Sequence, residues 1–141
     1  MWTRFLNAFT NMGNVGNSWS IGIQSSQTFT NVTVTGYFIR SVGTGISANG
    51  STQGTATVLS KEINVVSTVS SGQGVRLPTA TEGMVIHITN TSANNLSVYP
   101  ATNGIINSLS ANAAFTQAAG STLTFIAPTA TQWYTGGATY S

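Results

Sequence analysis

The chain contains no cysteine and very few charged residues. Its 141 residues include four basic and two acidic side chains, so only 4% of the residues are charged, against about 25% in ordinary soluble domains. Without cysteine, neither a disulfide framework nor a thiolate metal site can hold the fold, which leaves apolar burial and strand pairing to stabilise it. A surface of uncharged polar residues does little to keep copies apart, so the composition favours an assembled state.

The scarcity of titratable groups argues against catalysis. The chain has one histidine, His87, and its two acids are Glu62 and Glu82. A catalytic triad needs a carboxylate that orients the histidine, and a glycosidase needs two carboxylates across a sugar-binding cleft. Glu62 follows Lys61 and Glu82 precedes a turn glycine, so we expect both acids to be ordinary solvated groups. With no His/Cys cluster and no Asp-rich loop, the sequence predicts a non-enzyme without cofactor or metal.

The positive net charge does not indicate nucleic-acid binding. The net charge is +2, but the four basic residues are scattered along the chain, and no patch could neutralise several phosphates. No apolar run approaches the roughly 18 residues that a membrane span needs. Residues 1–12 lack the uninterrupted apolar core of a signal peptide. We therefore expect neither nucleic acid nor membrane as a partner, and synthesis in the cytoplasm.

The first 50 residues predict an extended N-terminal arm. Four large apolar residues at its start share one helical face and predict a short amphipathic helix that ends at Gly13. A helix of about 11 residues is marginal alone in water, so this face must be covered by its own module or by another chain. We expect another chain. The predicted partner-binding residues are Trp2, Arg4, Phe5, Leu6 and Phe9.

The rest of the arm is predicted to contain one strand and one loop. A stretch rich in Gly, Asn and Ser follows the helix, and residues 29–40 are dense in β-branched and aromatic residues, which predicts a strand. Residues 41–56 are rich in Gly and Ser and predict a flexible loop, with Asn49-Gly50 as a tight turn.

Residues 51–141 predict a compact β module. Short strands separated by Gly, Pro, Asn and Ser turns favour an antiparallel β-sandwich or barrel, so the fold class is all-β. No repeat is long enough to indicate a solenoid. The predicted strands span residues 57–59, 63–69, 75–77, 84–90, 96–99, 123–127 and 132–134.

Alternation along the strands predicts the core. In MVIHITN, Ile86 and Ile88 share one face and His87 lies on the other. The polar run at residues 90–95 predicts a turn that pairs strand 84–90 with strand 96–99 as an antiparallel hairpin. We expect His87 and Ser97 on the outer side, and six buried residues: Ile86, Ile88, Leu96, Val98, Leu123 and Phe125.

Three aromatic residues leave a second kind of function open. Trp19, Trp133 and Tyr134 could form an aromatic surface that stacks on sugars in a carbohydrate-binding module. Packing in a core or an interface is the commoner fate of Trp and Tyr. A sugar-binding surface would need several of these rings exposed together.

The run GVRLPTATEGMVIHITNTSANNLSVYPATNGIIN, followed by STLTFIAPTATQWYT, carries a resemblance. It resembles a small β module of tailed-phage virion proteins, which include head-decoration (cement) subunits and tail or fibre components. The resemblance covers roughly residues 63–136. Its marks are the strand end Val75-Arg76-Leu77-Pro78, Gly83 before a strand, the turn at residues 90–95, Val98-Tyr99-Pro100 and the closing Gln132-Trp133-Tyr134.

The resemblance implies a structural virion protein. A short module with an arm and no shaft repeat is more similar to a decoration subunit on the capsid surface than to a fibre tip. The implied partners are the major capsid protein or other virion proteins, together with copies of itself. A trimer is one expected state, since decoration subunits often lie where three shell subunits meet. The alternative is a tail or fibre component that binds a host receptor or carbohydrate.

Overall fold

The computed structural model describes residue 33 and residues 35–136. This part of the chain is all-β, as predicted, and contains no helix. Contacts divide the chain into two compact units, Met1–Tyr37 and Phe38–Ser141, and the strands described here all belong to the second. The predicted helix at residues 1–12 lies outside the described residues. The strands are β1 (Val42–Ser47), β2 (Thr57–Val58), β3 (Ile63–Thr68), β4 (Gly74–Arg76), β5 (Met84–Asn90), β6 (Leu96–Tyr99), β7 (Ile105–Ile106), β8 (Phe115–Gln117), β9 (Thr122–Ala127) and β10 (Gln132–Gly136).

The strands form two sheets that the chain visits in turn. One sheet has the order β1-β3-β5-β9-β10-β7 and the other has the order β2-β4-β6-β8. From β1 to β6 the chain alternates between the sheets, and each strand lies parallel to the strand two before it. The first six strands are therefore wound like the coils of a solenoid, in which each coil stacks on the previous one.

The prediction of antiparallel sheets is wrong. Both sheets are mixed, because β8, β9 and β10 add antiparallel pairs to the parallel pairs of the coils. The prediction against a solenoid also fails. Between β3 and β5, pairing places Ile63 beside His87 and Asn64 beside Ile88, so residues at paired positions differ in kind. The coils repeat in backbone pairing, while the sequence shows no repeat.

The turn after β5 explains why the predicted hairpin does not form. β5 and β6 belong to different sheets. Asn90 is fully buried, and its amide nitrogen donates to the carbonyl oxygens of Asn94 at 2.9 Å and Ala118 at 3.2 Å. The side-chain oxygen of Asn90 accepts a hydrogen bond from the backbone N–H of Ser92 at 3.1 Å. These bonds hold a turn that carries the chain across the core to the other sheet.

One hydrophobic core is shared by the two sheets. Ile86, Ile88, Leu96, Val98 and Phe125 are buried in it, as predicted, and Leu123 packs against it while partly exposed. His87 and Ser97 are partly exposed. The rings of Phe115 on β8 and Phe125 on β9 meet edge to face, with centroids 6.1 Å apart, and so join the two sheets.

The four-stranded sheet depends on a close backbone approach at Gly74. β4 lies beside β6, with Gly74 opposite Ser97. A Cβ atom at Gly74 would lie 2.4 Å from the carbonyl oxygen of Ser97, which is closer than real atoms come. Glycine is therefore required for these two coils to stack.

The arm and loop boundaries differ from those predicted. A strand was predicted at residues 29–40. Of these, the structure describes residue 33 and residues 35–40, and none of them is in a strand. β1 instead lies inside the predicted loop, because pairing with β3 outweighs the poor strand propensity of VGTGIS. The rest of that loop is held by side chains: Tyr99 donates to the Ser51 carbonyl oxygen at 2.8 Å, and Gln53 donates to the Pro100 carbonyl oxygen at 3.1 Å.

Candidate functional site

An open cleft of about 550 Å³ lies where β3 and β5 begin. Its lining includes Arg40, Lys61 and Glu62, together with the apolar side chains of Met84 and Val85. The chain has four basic and two acidic residues, so half of its charged side chains meet at this one place. In a molecule with six charged side chains, this concentration makes the cleft a candidate binding site.

The charges in the cleft are arranged by one ion pair. The guanidinium of Arg40 contacts the carboxylate of Glu62, and the carbon of that guanidinium lies 5.7 Å from the centre of the Phe38 ring. Such a cation–π contact orients both groups. Among residues 33 and 35–136, Lys61 has no carboxylate within ion-pair distance. Since Arg40 and Glu62 offset each other, Lys61 gives the cleft one net positive charge.

An exposed apolar segment leads into the cleft. Phe38 is 69% exposed and Ile39 is 90% exposed, directly before Arg40. Protein–protein interfaces have an apolar centre and a polar rim. Exposed apolar side chains beside charged groups, as found here, form the same arrangement. This segment of Phe38, Ile39 and Arg40, with the adjoining cleft, is the feature that we call the edge site.

A second surface is the side of the six-stranded sheet that points away from the core. Strand pairing places Val85, Ile126 and Tyr134 next to one another across β5, β9 and β10. The adjacent row runs from Val42 through Ile63 and His87 to Thr124. We call these residues the outer face. Val42, Ile126 and Tyr134 are its most exposed members, at 52%, 47% and 53%.

The outer face, as defined by these residues, contains no Asp, Glu, Lys or Arg. The Nδ1 atom of His87 lies 2.9 Å from the hydroxyl oxygen of Thr124. The hydroxyl groups of Thr89 and Thr122, on the same pair of strands, are 3.0 Å apart. These polar groups bond to each other across the strands, so the surface offers mainly apolar contact rather than free donors and acceptors.

The free edge of β1 is poorly suited to receiving another strand. Its register with β3 shifts between Gly43 and Ile46 and again at Ser47. Gly45 has φ +66°, in the left-handed region. Bulges of this kind twist an edge strand away from further pairing. Binding at the edge site must therefore depend on side chains rather than on an added strand.

The residues predicted to form the functional site do not lie on one surface. Trp133 is fully buried, which corrects its assignment to an aromatic sugar-binding surface. The cause is the alternation along β10, which turns Trp133 inward and Tyr134 outward. Tyr134 is exposed on the outer face. Trp19 and the predicted arm residues Trp2, Arg4, Phe5, Leu6 and Phe9 lie outside the described residues.

Sequence reasoning missed the edge site. Residues 29–40 are dense in strand formers, so Phe38 and Ile39 were expected in a strand rather than in an exposed segment. No local spacing links Arg40 to Glu62, because the pair is brought together by β1 and β3. The scarcity of charge is the only signal that could have drawn attention to it.

Within residues 33 and 35–136, no group of three or more His, Cys, Asp or Glu side chains could hold a metal ion. The same part of the chain contains no helix able to cross a membrane. Comparison with protein-family models, curated proteins and solved structures found no match.

Proposed function

We propose that this chain is a capsid decoration subunit, which binds and stabilises the head shell of a tailed phage through protein–protein contacts. It would be made in the host cytoplasm and located on the capsid surface. The exposed Phe38 and Ile39 beside the charged cleft are the observation that carries the proposal. The two sheets, joined by one core, serve in this proposal as a sandwich-like platform. The resemblance of residues 63–136 to virion modules supports the same role.

The energetics of the edge site suit a repeated contact on a lattice. Burying a large apolar side chain contributes about 1.5–3 kcal/mol, and association costs about 4–15 kcal/mol in lost freedom. Phe38 and Ile39 alone therefore give weak binding and need further contacts from the same subunit. A shell that presents many equivalent sites, together with links between subunits, supplies them.

The chemistry of the edge site indicates the kind of shell surface it fits. Lys61, which has no ion-pair partner among the described residues, supplies a positive charge, and Phe38 and Ile39 supply apolar area. The complementary surface carries an acidic group beside an apolar patch, because matched potentials favour encounter and suppress wrong partners. The expected partner is the major capsid protein or another virion protein.

Binding of the purified protein to shells stripped of it tests the edge site. We expect Ile39→Ser to weaken binding at least tenfold, and Lys61→Gln to weaken it and reduce its dependence on salt. Leu109→Ser is the matched control, since Leu109 is also a large exposed apolar residue, at 37%, but belongs to a different part of the surface. Equal binding by Ile39→Ser and Leu109→Ser would rule out the edge site.

Quantitative mass spectrometry of purified heads and tails tests the assignment to the head. We expect many copies per particle, recovered with the heads. A few copies that remain with isolated tails would overturn the proposal and favour the alternative.

The alternative proposal is a tail or fibre component that binds a host receptor or carbohydrate. Tyr134 supports it, because its ring is exposed beside Ile126 and could stack on a sugar. The burial of Trp133 counts against it. A glycan array separates the two functions. Saturable binding of one glycan, abolished in Tyr134→Ala without unfolding, would favour the alternative.

A further inference from the structure

We infer that the outer face is the docking site for residues 1–13 of a second copy of this chain, so that subunits are linked by exchanged arms. This interaction goes beyond shell binding and does not depend on it. It assigns a partner to an apolar surface of the described residues, and it assigns the N-terminal segment to that surface.

The receiving surface is open in a single copy. Ile126 and Tyr134 are 47% and 53% exposed, and Val42 is 52% exposed. Strand pairing joins Ile126 and Tyr134 to Val85 in one row. Contiguous exposed apolar residues on a soluble protein mark an interaction site. Among the described residues these side chains stay about half exposed, so the segment that covers them lies outside this part of the chain.

The proposed occupant has complementary chemistry. The spacing of Trp2, Phe5, Leu6 and Phe9 predicts a stripe of large apolar residues on one side of a short helix. A helix of this length needs burial against a partner to be stable. Arg4 is the one charged residue of the segment. The outer face contains no Lys or Arg that would repel it.

The position where the described body begins places the segment within reach. The second compact unit starts at Phe38, four residues before Val42 on the outer face. Residues 14–37 connect it to the predicted helix and are rich in Gly, Asn and Ser. A chain of that length can span at most about 80 Å when fully extended, whereas a body of about 100 residues has a radius of gyration near 13 Å. The segment can therefore extend beyond its own body to a neighbouring copy.

The area of the outer face favours an arm over a rigid face-to-face dimer. Five strands spaced about 4.8 Å apart and about 20 Å long give a footprint of about 500 Å². A stable interface buries about 800 Å² on each partner. Packing two outer faces together falls short of this, whereas exchanged arms create two such contacts in each pair. The low charge of the chain places no barrier against the close approach of copies.

Complementation between two variants of the full-length protein tests the inference in the absence of any shell. The face variant carries Ile126→Thr and Tyr134→Thr, which keep β-forming residues on the sheet. The arm variant carries Phe5→Ser and Phe9→Ser. Analytical ultracentrifugation should show that the unaltered protein associates and that each variant alone is monomeric. An equimolar mixture at high concentration should form a heterodimer that is weaker than the unaltered pair, because one intact arm and one intact face remain instead of two.

Each other outcome overturns the inference. Monomeric behaviour of the unaltered protein at millimolar concentration means that copies do not exchange arms. Association that persists in either variant means that another surface is used. A mixture that stays monomeric means that the arm and the face do not meet between copies. Leu109→Ser is the control and should associate like the unaltered protein, and circular dichroism melts should show that all variants are folded.

Disulfide trapping provides a second measurement that needs no loss of function. The chain has no cysteine, so single introduced thiols are unambiguous. A mixture of Phe9→Cys and Ile126→Cys proteins, differently tagged, should form a mixed disulfide dimer under mild oxidation. Ile126→Cys alone should not. If Ile126→Cys links to itself as readily, two outer faces pack together and arm exchange is wrong. Shell binding is absent from both experiments, so their failure leaves the proposed function untouched.

Discussion

The two sides of the six-stranded sheet are made by the same strands and differ sharply in what they contact. On β10, Trp133 is fully buried while its neighbour Tyr134 is 53% exposed. On β5, Ile86 and Ile88 lie in the core while Val85 and His87 lie on the outer face. Alternation along a strand thus assigns one set of residues to stability and the other to association. Substitutions on the inner side should change the free energy of unfolding, whereas those on the outer side should change binding.

Trp133→Ala should have the largest effect. Trp133 is among the largest fully buried side chains, and truncation of a buried Trp costs about 3–5 kcal/mol. The loss should be measured by urea denaturation followed by circular dichroism. Tyr134→Ala is the control on the same strand and should change the free energy of unfolding by less than about 0.5 kcal/mol. Similar losses in both variants would show that the two sides do not differ as described.

Ile88→Ala should cost about 2–5 kcal/mol, because Ile88 is fully buried in the core shared by the two sheets. Ile126→Ala removes the same atoms from a side chain that is 47% exposed, so it should cost much less. Chemical denaturation of both variants measures the difference. A near-neutral Ile88→Ala would mean that the assignment of inner and outer positions on β5 is reversed.

Gly74→Ala should destabilise the stacking of coils by about 1–3 kcal/mol, the usual cost of overpacking. The added Cβ would lie 2.4 Å from the Ser97 carbonyl oxygen, and backbone cannot move aside as a flexible side chain can. Gly54→Ala is the matched control, since a Cβ there meets nothing within 4 Å. Thermal melts of the two variants give the comparison. Equal melting temperatures would contradict the close approach of β4 and β6.

Glu62→Gln should have the smallest effect on stability, about 0.2–1 kcal/mol, because its ion pair with Arg40 is partly exposed. The loss should shrink as salt is added. Glu82→Gln is the control, since Glu82 is exposed in a turn. Denaturation at low and high ionic strength checks both points. A loss of several kcal/mol that is unaffected by salt would show that Glu62 supports the core rather than the edge site.

The positions of many strands could be predicted from sequence because they depend on local patterns. Strands β5, β6 and β9 stand out by alternation and by their bounding turn residues, and five of the six residues predicted to be buried on them are buried, whereas Leu123 is partly exposed. β1 was missed because VGTGIS contains two glycines and few strand formers. β8 was missed because residues 111–121, ANAAFTQAAGS, contain few strand formers, and β7 was missed because its two residues show no alternation.

The pairing of the strands could not be predicted, because it depends on contacts between distant residues. The run from Asn90 to Leu96 is short enough for a hairpin, but the buried hydrogen bonds of Asn90 help to hold a turn that leads to the other sheet. Parallel coils also produce no repeat in the sequence when paired residues, such as Ile63 and His87, differ in kind. The sequence therefore predicts elements and faces better than it predicts topology.

The candidate site was predictable only in part, for the same reason. Alternation on β10 implies that Trp133 and Tyr134 point in opposite directions, so both could not belong to one exposed surface. In the edge site, Phe38 and Arg40 lie beside Glu62. Glu62 is distant from them in sequence and is brought close by the pairing of β1 with β3. A pattern confined to one stretch of chain cannot reveal such a site.

Cryo-electron microscopy of the intact particle tests the proposed decoration function most directly. The account predicts density for the two-sheet body at many equivalent positions on the head, with Phe38, Ile39 and Lys61 toward the capsid protein. Density confined to the tail, or a head whose lattice contains no such body, would contradict it.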